Sequence, residues 1–231
     1  MTSKFSKPVL CLVLLFAIAS AAAAADTSFL KPPAGAPVAI VVFEDLECPA
    51  CATATPVLVD VSKQMNVPLV IYDYPLPMHP WAQPAAVLAK YFTSKSPELG
   101  LQFREFMYKN QNSITPENVN QFAQRFASEH HVELPFAVDP QGKFAEAISQ
   151  DKNLGNRAGL QHTPTMFVVT NKTQQDVEYT GNVANDRNQF VNAINQARQQ
   201  LGASAAAEKP AVKPAAAKTA TKRPVRKSSA R

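Results

Sequence analysis

Val38-Ala-Ile-Val-Val-Phe-Glu-Asp-Leu-Glu-Cys48-Pro-Ala-Cys51 is the stretch that decides the fold. Val41, Val42 and Phe43 form an apolar, β-favouring run. The acidic turn Glu44-Asp45-Leu46-Glu47 ends it. From Cys48 the sequence turns helical, with Pro49 where a first-turn proline is tolerated. Cysteines at i and i+3 share one helix face, within reach of a disulfide. Amide N–H groups and the positive dipole end at a helix start stabilise a thiolate. A cysteine near its ordinary pKa of ~8.5 can fall there to roughly 3.5–7.5. The stretch therefore points to redox chemistry at Cys48 and Cys51. The competing readings are a structural disulfide and half of a zinc site. One Cys-x-x-Cys supplies two ligands where zinc usually takes about four. The histidines are His79, His130, His131 and His162, of which His79 and His162 could approach the cysteines.

Working outward, not all of the 231 residues read as globular. Met1 to about Ala25 reads as a signal peptide: Lys4 and Lys7, an apolar run from Pro8 to Ile18, then Ser20 and five alanines. Ala23 and Ala25 fit a small-x-small cleavage site, which leaves Asp26 as the new N-terminus. An uncleaved membrane anchor is the alternative, since about 18 apolar or small residues come close to spanning a bilayer. Cys11 leaves with the leader, so the mature chain keeps only Cys48 and Cys51. One close pair does not make a disulfide-stapled scaffold. The span from Asp26 to Leu201 is long enough for one compact domain with its own core.

The formal charge of +5 is unevenly placed. The tail from Gly202 to Arg231 carries eight Lys/Arg and one acid, Glu208, while the span between leader and tail holds 13 basic and 17 acidic residues. The folded domain is mildly acidic, so specific nucleic-acid binding is not indicated. The tail, rich in alanine, lysine and proline, reads as disordered, with nonspecific attraction to anionic envelope surfaces as its expected contact.

In chain order, residues 26–36 are a proline-rich lead-in and residues 37–201 the domain. A strand runs from about Pro37 to Glu44 and a helix from about Cys48 to Met65, with Pro56 inside it. Val67–Asp73 reads as a second strand, apolar enough to be a buried central one, and the strand–helix–strand connection implies a parallel pair. A helical block follows from about Trp81 to Leu160. Thr115-Pro116 and Asp139-Pro140 open its third and fourth helices. Met166–Thr170 and Val177–Thr180 then form an antiparallel hairpin, and a last helix spans about Asp186 to Gln200.

The order β-α-β, helical insertion, β-β-α with Cys-x-x-Cys at the first strand–helix junction resembles the thioredoxin-like α/β fold. It is most similar to the DsbA-like thiol:disulfide oxidoreductases. The matching residues are Phe43-x-Asp45-x-x-Cys48-Pro-x-Cys51, Pro56, Pro75-Leu-Pro-x-His79-Pro80 and Gly159-Leu-Gln-His-Thr163-Pro164-Thr165. The resemblance implies a cis proline at Pro164 facing the cysteines. It also implies a substrate clamp at Thr163 and Pro164, whose freed backbone groups would pair with an extended chain. It implies protein substrates bearing thiols or disulfides, and a membrane redox partner that recycles the cysteine pair. No cofactor is expected.

On this reading Cys48 exchanges with substrate and Cys51, one turn deeper, resolves the mixed disulfide. Asp45 and Glu44 are candidates for a proton relay to Cys51, with Asp45 ahead on the resemblance. His162 is a candidate cation favouring the thiolate. Pro49-Ala50 offers no cation between the sulfurs, and acids facing Cys48 would raise its pKa. A pair less oxidising than the strongest family members is therefore expected. The chain is expected to be periplasmic or otherwise exported. The alternative class is a metal-handling or redox-inert binding protein on the same scaffold, because fold alone does not fix activity.

Overall fold

The computed structural model describes residues 25–207. The expected signal peptide lies outside these residues apart from Ala25, and so does the tail beyond Ala207. Four strands, β1 (Val38–Glu44), β2 (Leu69–Asp73), β3 (Thr165–Thr170) and β4 (Gln174–Val177), form one sheet in the order β2-β1-β3-β4. β1 pairs parallel with β2 and antiparallel with β3, and β3 pairs antiparallel with β4. The α/β, thioredoxin-like fold class read from the sequence is the fold observed.

β1 is the strand around which the domain is built. All seven of its residues are buried. Val38, Ile40 and Val42 face a cluster with α1 (Pro49–Met65) and α6 (Val183–Ala207), through Leu58, Val61, Phe190 and Ile194. Ala39, Val41 and Phe43 face the other side, with Leu30, Phe167 and Val169. Burial on both faces is why this strand reads as a continuous apolar run instead of an alternating one.

The second strand was expected to be central, and it lies at the sheet edge. Its residues Leu69 to Tyr72 are only partly buried, because β1 already has partners on both sides and β2 has one. The hairpin also begins earlier than expected. The Thr170 hydroxyl accepts from the N–H groups of Lys172 and Thr173, at 3.1 and 2.9 Å, closing a tight turn straight into β4. β4 is polar except for Val177, so apolar content alone misplaced it. α6 starts before Asp186 and continues past Leu201 to Ala207, so the expected boundary of the tail falls within it.

The insertion holds α2 (Ala82–Lys95), α3 (Pro97–Asn110), α4 (Val119–Glu129) and α5 (Lys143–Arg157). Phe92, Phe103 and Phe126 meet pairwise with centroids 4.6 to 5.2 Å apart. Each fully buried phenylalanine stabilises the packed state by roughly 1.5–3 kcal/mol. Ser96 caps α3, its hydroxyl accepting from Leu99 N–H at 3.0 Å, with Pro97 opening the helix. α4 begins at Val119 and not at Pro116, because Thr115 to Asn118 is spent on a turn in which Thr115 C=O accepts from Asn118 and Val119. α2 and α3 cross closely at Gly100, where an added Cβ would lie 2.1 Å from Thr93 Oγ1.

This second core also contains Leu46, Cys48, Cys51 and Trp81. The cysteine motif is thus carried by the sheet but roofed by the insertion.

Candidate active site

Cys48 is the N-cap of α1, in extended conformation, and Pro49 follows as the first helical residue. The chain can enter a helix here because Pro49 has no N–H to leave unsatisfied. Cys48 is 7 % exposed and Cys51 0 %, so the first sulfur is the outer one, as expected from the helix geometry. Both are free thiols.

The Thr163–Pro164 peptide bond is cis. It places the Thr163 carbonyl against the helix start, where it accepts from the Cys48 thiol at 3.3 Å. This carbonyl, expected to pair with a substrate chain, also meets the outer sulfur, and its second lone pair is open to a substrate N–H. The Thr163 hydroxyl is buried and has no hydrogen-bond partner among the described residues.

Cys48 is lowered from 9.0 to about 5. A thiolate there accepts from the Cys51 thiol, which is the largest effect. Burial opposes it; the Thr163 hydroxyl and the N–H groups of Cys51 and Ala50 add to it. The otherwise unpartnered Thr163 hydroxyl therefore has a role once Cys48 loses its proton. Burial pushes Cys51 the other way, well above 9.0, and the neighbouring Cys48 adds to that rise. Two cysteines three apart are thereby chemically unlike, which suits one to attack and the other to wait.

The carboxylates of the turn are engaged elsewhere and are not among the main groups acting on the Cys48 sulfur. Asp45 accepts from Glu47 N–H and Leu76 N–H, both at 2.7 Å, and pairs with His79 Nδ1 at 2.7 Å. Its own N–H donates to Cys51 Sγ at 3.5 Å. Glu47 accepts from Trp81 N–H at 2.7 Å. These two carboxylates clamp the loop from Leu76 to Trp81 onto the cysteine turn. Gln111 completes the clamp, donating to the carbonyls of Leu46 and Cys48 at 2.7 and 3.1 Å.

Glu44 is the acid that acts on the inner sulfur, and its negative charge helps to raise Cys51. It is 1 % exposed, accepts from Thr55 Oγ1 at 2.7 Å and pairs with Arg104 at 2.7 Å. Burial pushes the Glu44 carboxyl up, and the Arg104 guanidinium restrains the rise. Arg104 also pairs with Asp73 at 2.8 Å; Lys90 joins Asp73 at 3.0 Å and Asp151 at 2.6 Å. This buried chain of charges ties the end of β1 to β2 and to α2, α3 and α5. Sequence reasoning missed it. The signal was there: Arg104 shares the buried helix face of Gly100, Phe103 and Met107.

His162 is exposed, and its ring is not among the main groups acting on Cys48. His79, not His162, is the histidine drawn into the cysteine turn. Among the described residues no three or more His, Cys, Asp or Glu side chains are gathered to hold a metal ion.

A family model described as Thioredoxin matches residues 33–184, more than half of the chain. The fold is similar to the crystal structure of Wolbachia pipientis α-DsbA1: TM-score 0.57, 18% identity, 74% of this chain and 92% of that one. It is also similar to Pseudomonas aeruginosa DsbA2, with TM-score 0.51, 20% identity and coverage of 72% and 91%. Oxidised BdbD from Bacillus subtilis gives TM-score 0.54, 19% identity and coverage of 72% and 90%. A curated relative, Na(+)/H(+) antiporter NhaA 3 of Salinispora tropica, is 29% identical over 150 residues. That match spans 62% of this chain but only 22% of the antiporter. The chain belongs to the thioredoxin family, in the DsbA-like form of its fold.

Proposed function

We propose that this protein is an exported thiol:disulfide oxidoreductase that exchanges disulfides with protein substrates through Cys48 and Cys51. The observation that carries the reading is the pairing of a lowered outer cysteine with a raised inner one, beside a cis proline.

In the oxidising direction a substrate thiolate attacks Cys48 Sγ of the Cys48–Cys51 disulfide. The intramolecular S–S bond breaks, a substrate–Cys48 bond forms, and the electron pair leaves on Cys51. A second substrate thiolate then displaces Cys48. The substrate ends oxidised by two electrons and the protein reduced, with Cys48 as thiolate and Cys51 taking a proton. The donors around Cys48 stabilise that reduced state and so favour oxidation of substrate. Glu44 is the buried carboxyl that supplies or receives the Cys51 proton, being the carboxylate whose charge acts on Cys51, whereas Asp45 meets that sulfur through its backbone N–H. Thr163 and Pro164 hold the substrate chain as an added strand. Export follows the leader read from the sequence, which would put the pair in a compartment where disulfides persist.

A Cys48 pKa of about 5 lies between the ~3.5 of a strong oxidant of this fold and the ~7 of thioredoxin. The test is ultraviolet titration of the reduced protein at the thiolate band, with Cys48→Ala as the blank. A midpoint near 5 supports the reading; one near 9 is the behaviour of a redox-inert scaffold.

A further inference from the structure

Next to the cis proline the sheet opens. β3 and β4 pair from Val169↔Gln174 to Met166↔Val177 and no further. On its other side β3 stays paired to β1 as far as Thr165↔Phe43. Thr165 and the preceding Pro164 therefore face the chain after Val177 without a ladder between them. A cleft of about 520 Å3 fills the gap. Thr163, 7 % exposed and with its hydroxyl unpartnered, lines this cleft and touches Cys48 at 3.3 Å. The opposite wall is Asp176, Val177, Glu178 and Tyr179.

The charge of that wall is one-sided. Asp176 and Glu178 flank Val177 and are both exposed. Both line the cleft, Asp176 from the end of β4 and Glu178 from the chain just beyond it. Neither has an ion-pair partner among the described residues, and no lysine or arginine lines the cleft, whose one histidine, His162, stands beside Thr163 on the other wall. Their carboxylates are available to a cation brought in by something else.

We infer that this cleft selects protein substrates whose reactive cysteine lies within a few residues of a lysine or arginine, held by Asp176 and Glu178. The inference rests on the exchange reading of Cys48. A substrate cysteine at Cys48 places its flanking residues, at about 3.3 Å each, along the open edge of β3. A basic side chain there meets two carboxylates, which favours encounter and register, whereas an acidic one is repelled. Exposed ion pairs of this kind are individually weak, and two together amount to a preference of about three- to tenfold.

The experiment uses the oxidised full-length protein and three unstructured peptides with one cysteine, identical except for lysine, alanine or glutamate beside it. Second-order rates are measured in low salt, and each is divided by the alanine-peptide rate for the same variant. That division removes any general loss of activity, and the peptides' own thiol acidity cancels between variants. The wild-type ratio of lysine to glutamate peptide is expected to fall about three- to tenfold in the D176N/E178Q protein. If that variant does not fold, the single variants D176N and E178Q decide, each expected to lower the ratio by a smaller factor, and the wild-type ratio itself should shrink near about 0.5 M salt. An equal ratio in wild type and variant, or one unmoved by salt, overturns charge selection and leaves the exchange reading standing. Failure of all three peptides to react overturns both.

Discussion

The Cys48 thiol and the Thr163 carbonyl meet at 3.3 Å, across the junction between the first helix and the cis proline turn. One residue thus offers Cys48 an acceptor when it is protonated and, through its hydroxyl, a donor when it is not. Thr163→Val removes the donor and keeps the shape. The Cys48 pKa is expected to rise by on the order of one unit, and the reduction potential to become less oxidising. Ultraviolet titration and equilibration with glutathione check the two effects together; an unchanged pKa would remove Thr163 from the account.

The thiolate also makes the reduced form's stability depend on pH. Cys48 is lowered from 9.0 to about 5, so the folded reduced protein holds fewer protons than the unfolded chain between those values. Its contribution is fully present above about pH 9 and is lost as pH falls through about 5. Thermal melts should show the stability of the reduced protein, relative to reduced Cys48→Ala, rising from about pH 5 to about pH 9. A flat difference would contradict the assignment.

Arg104 is the cation that makes a buried Glu44 tolerable. Arg104→Met leaves Glu44 and Asp73 facing each other in the core, and breaking a buried pair from one side costs about 3–5 kcal/mol. Without Arg104, Glu44 rises further above its ordinary 4.5. The loss should be largest at neutral pH and shrink as pH falls toward the ordinary carboxylate range, where Glu44 is protonated and needs no partner. Urea unfolding at about pH 7 and near pH 4.5 gives both numbers.

Glu44→Gln separates proton handling from substrate attack. Alkylation of Cys48 should be little changed in rate at neutral pH, because the groups that lower it are elsewhere. Resolution of a mixed disulfide, which needs the Cys51 proton removed, should slow about 10- to 100-fold, within the range of general acid–base contributions. Equal slowing of both steps would mean that Glu44 acts through the fold alone.

Much of this fold could be read in the chain, and the reasons are local. Val38 to Cys51 encodes a strand, a turn and a helix start without outside help, and Thr163-Pro164 marks its own turn. What could not be read depends on partners distant in sequence. Val67 to Asp73 looks central because its residues are apolar; its edge position is decided by β3 pairing with the other side of β1. Gln174 to Asp176 carries no strand signal of its own and is a strand only because Thr170 and Thr173 close the turn before it. At the site, the types of residue were legible and their directions were not. Asp45 and Glu47 sit beside the cysteines in sequence, yet their carboxylates turn to Leu76, His79 and Trp81. Arg104, 60 residues from Glu44, is the group that meets it.

The most direct test of the account is a mixed-disulfide trap. Cys51→Ala protein is mixed with a disulfide-bearing peptide at neutral pH, quenched in acid and weighed intact. One peptide is expected joined to Cys48, accumulating because no inner thiol is left to displace it. The Cys48→Ala protein, whose only remaining domain cysteine is buried and raised, should carry none. Adduct on neither variant, or equal adduct on both, would contradict the assignment of Cys48 as the exchanging sulfur.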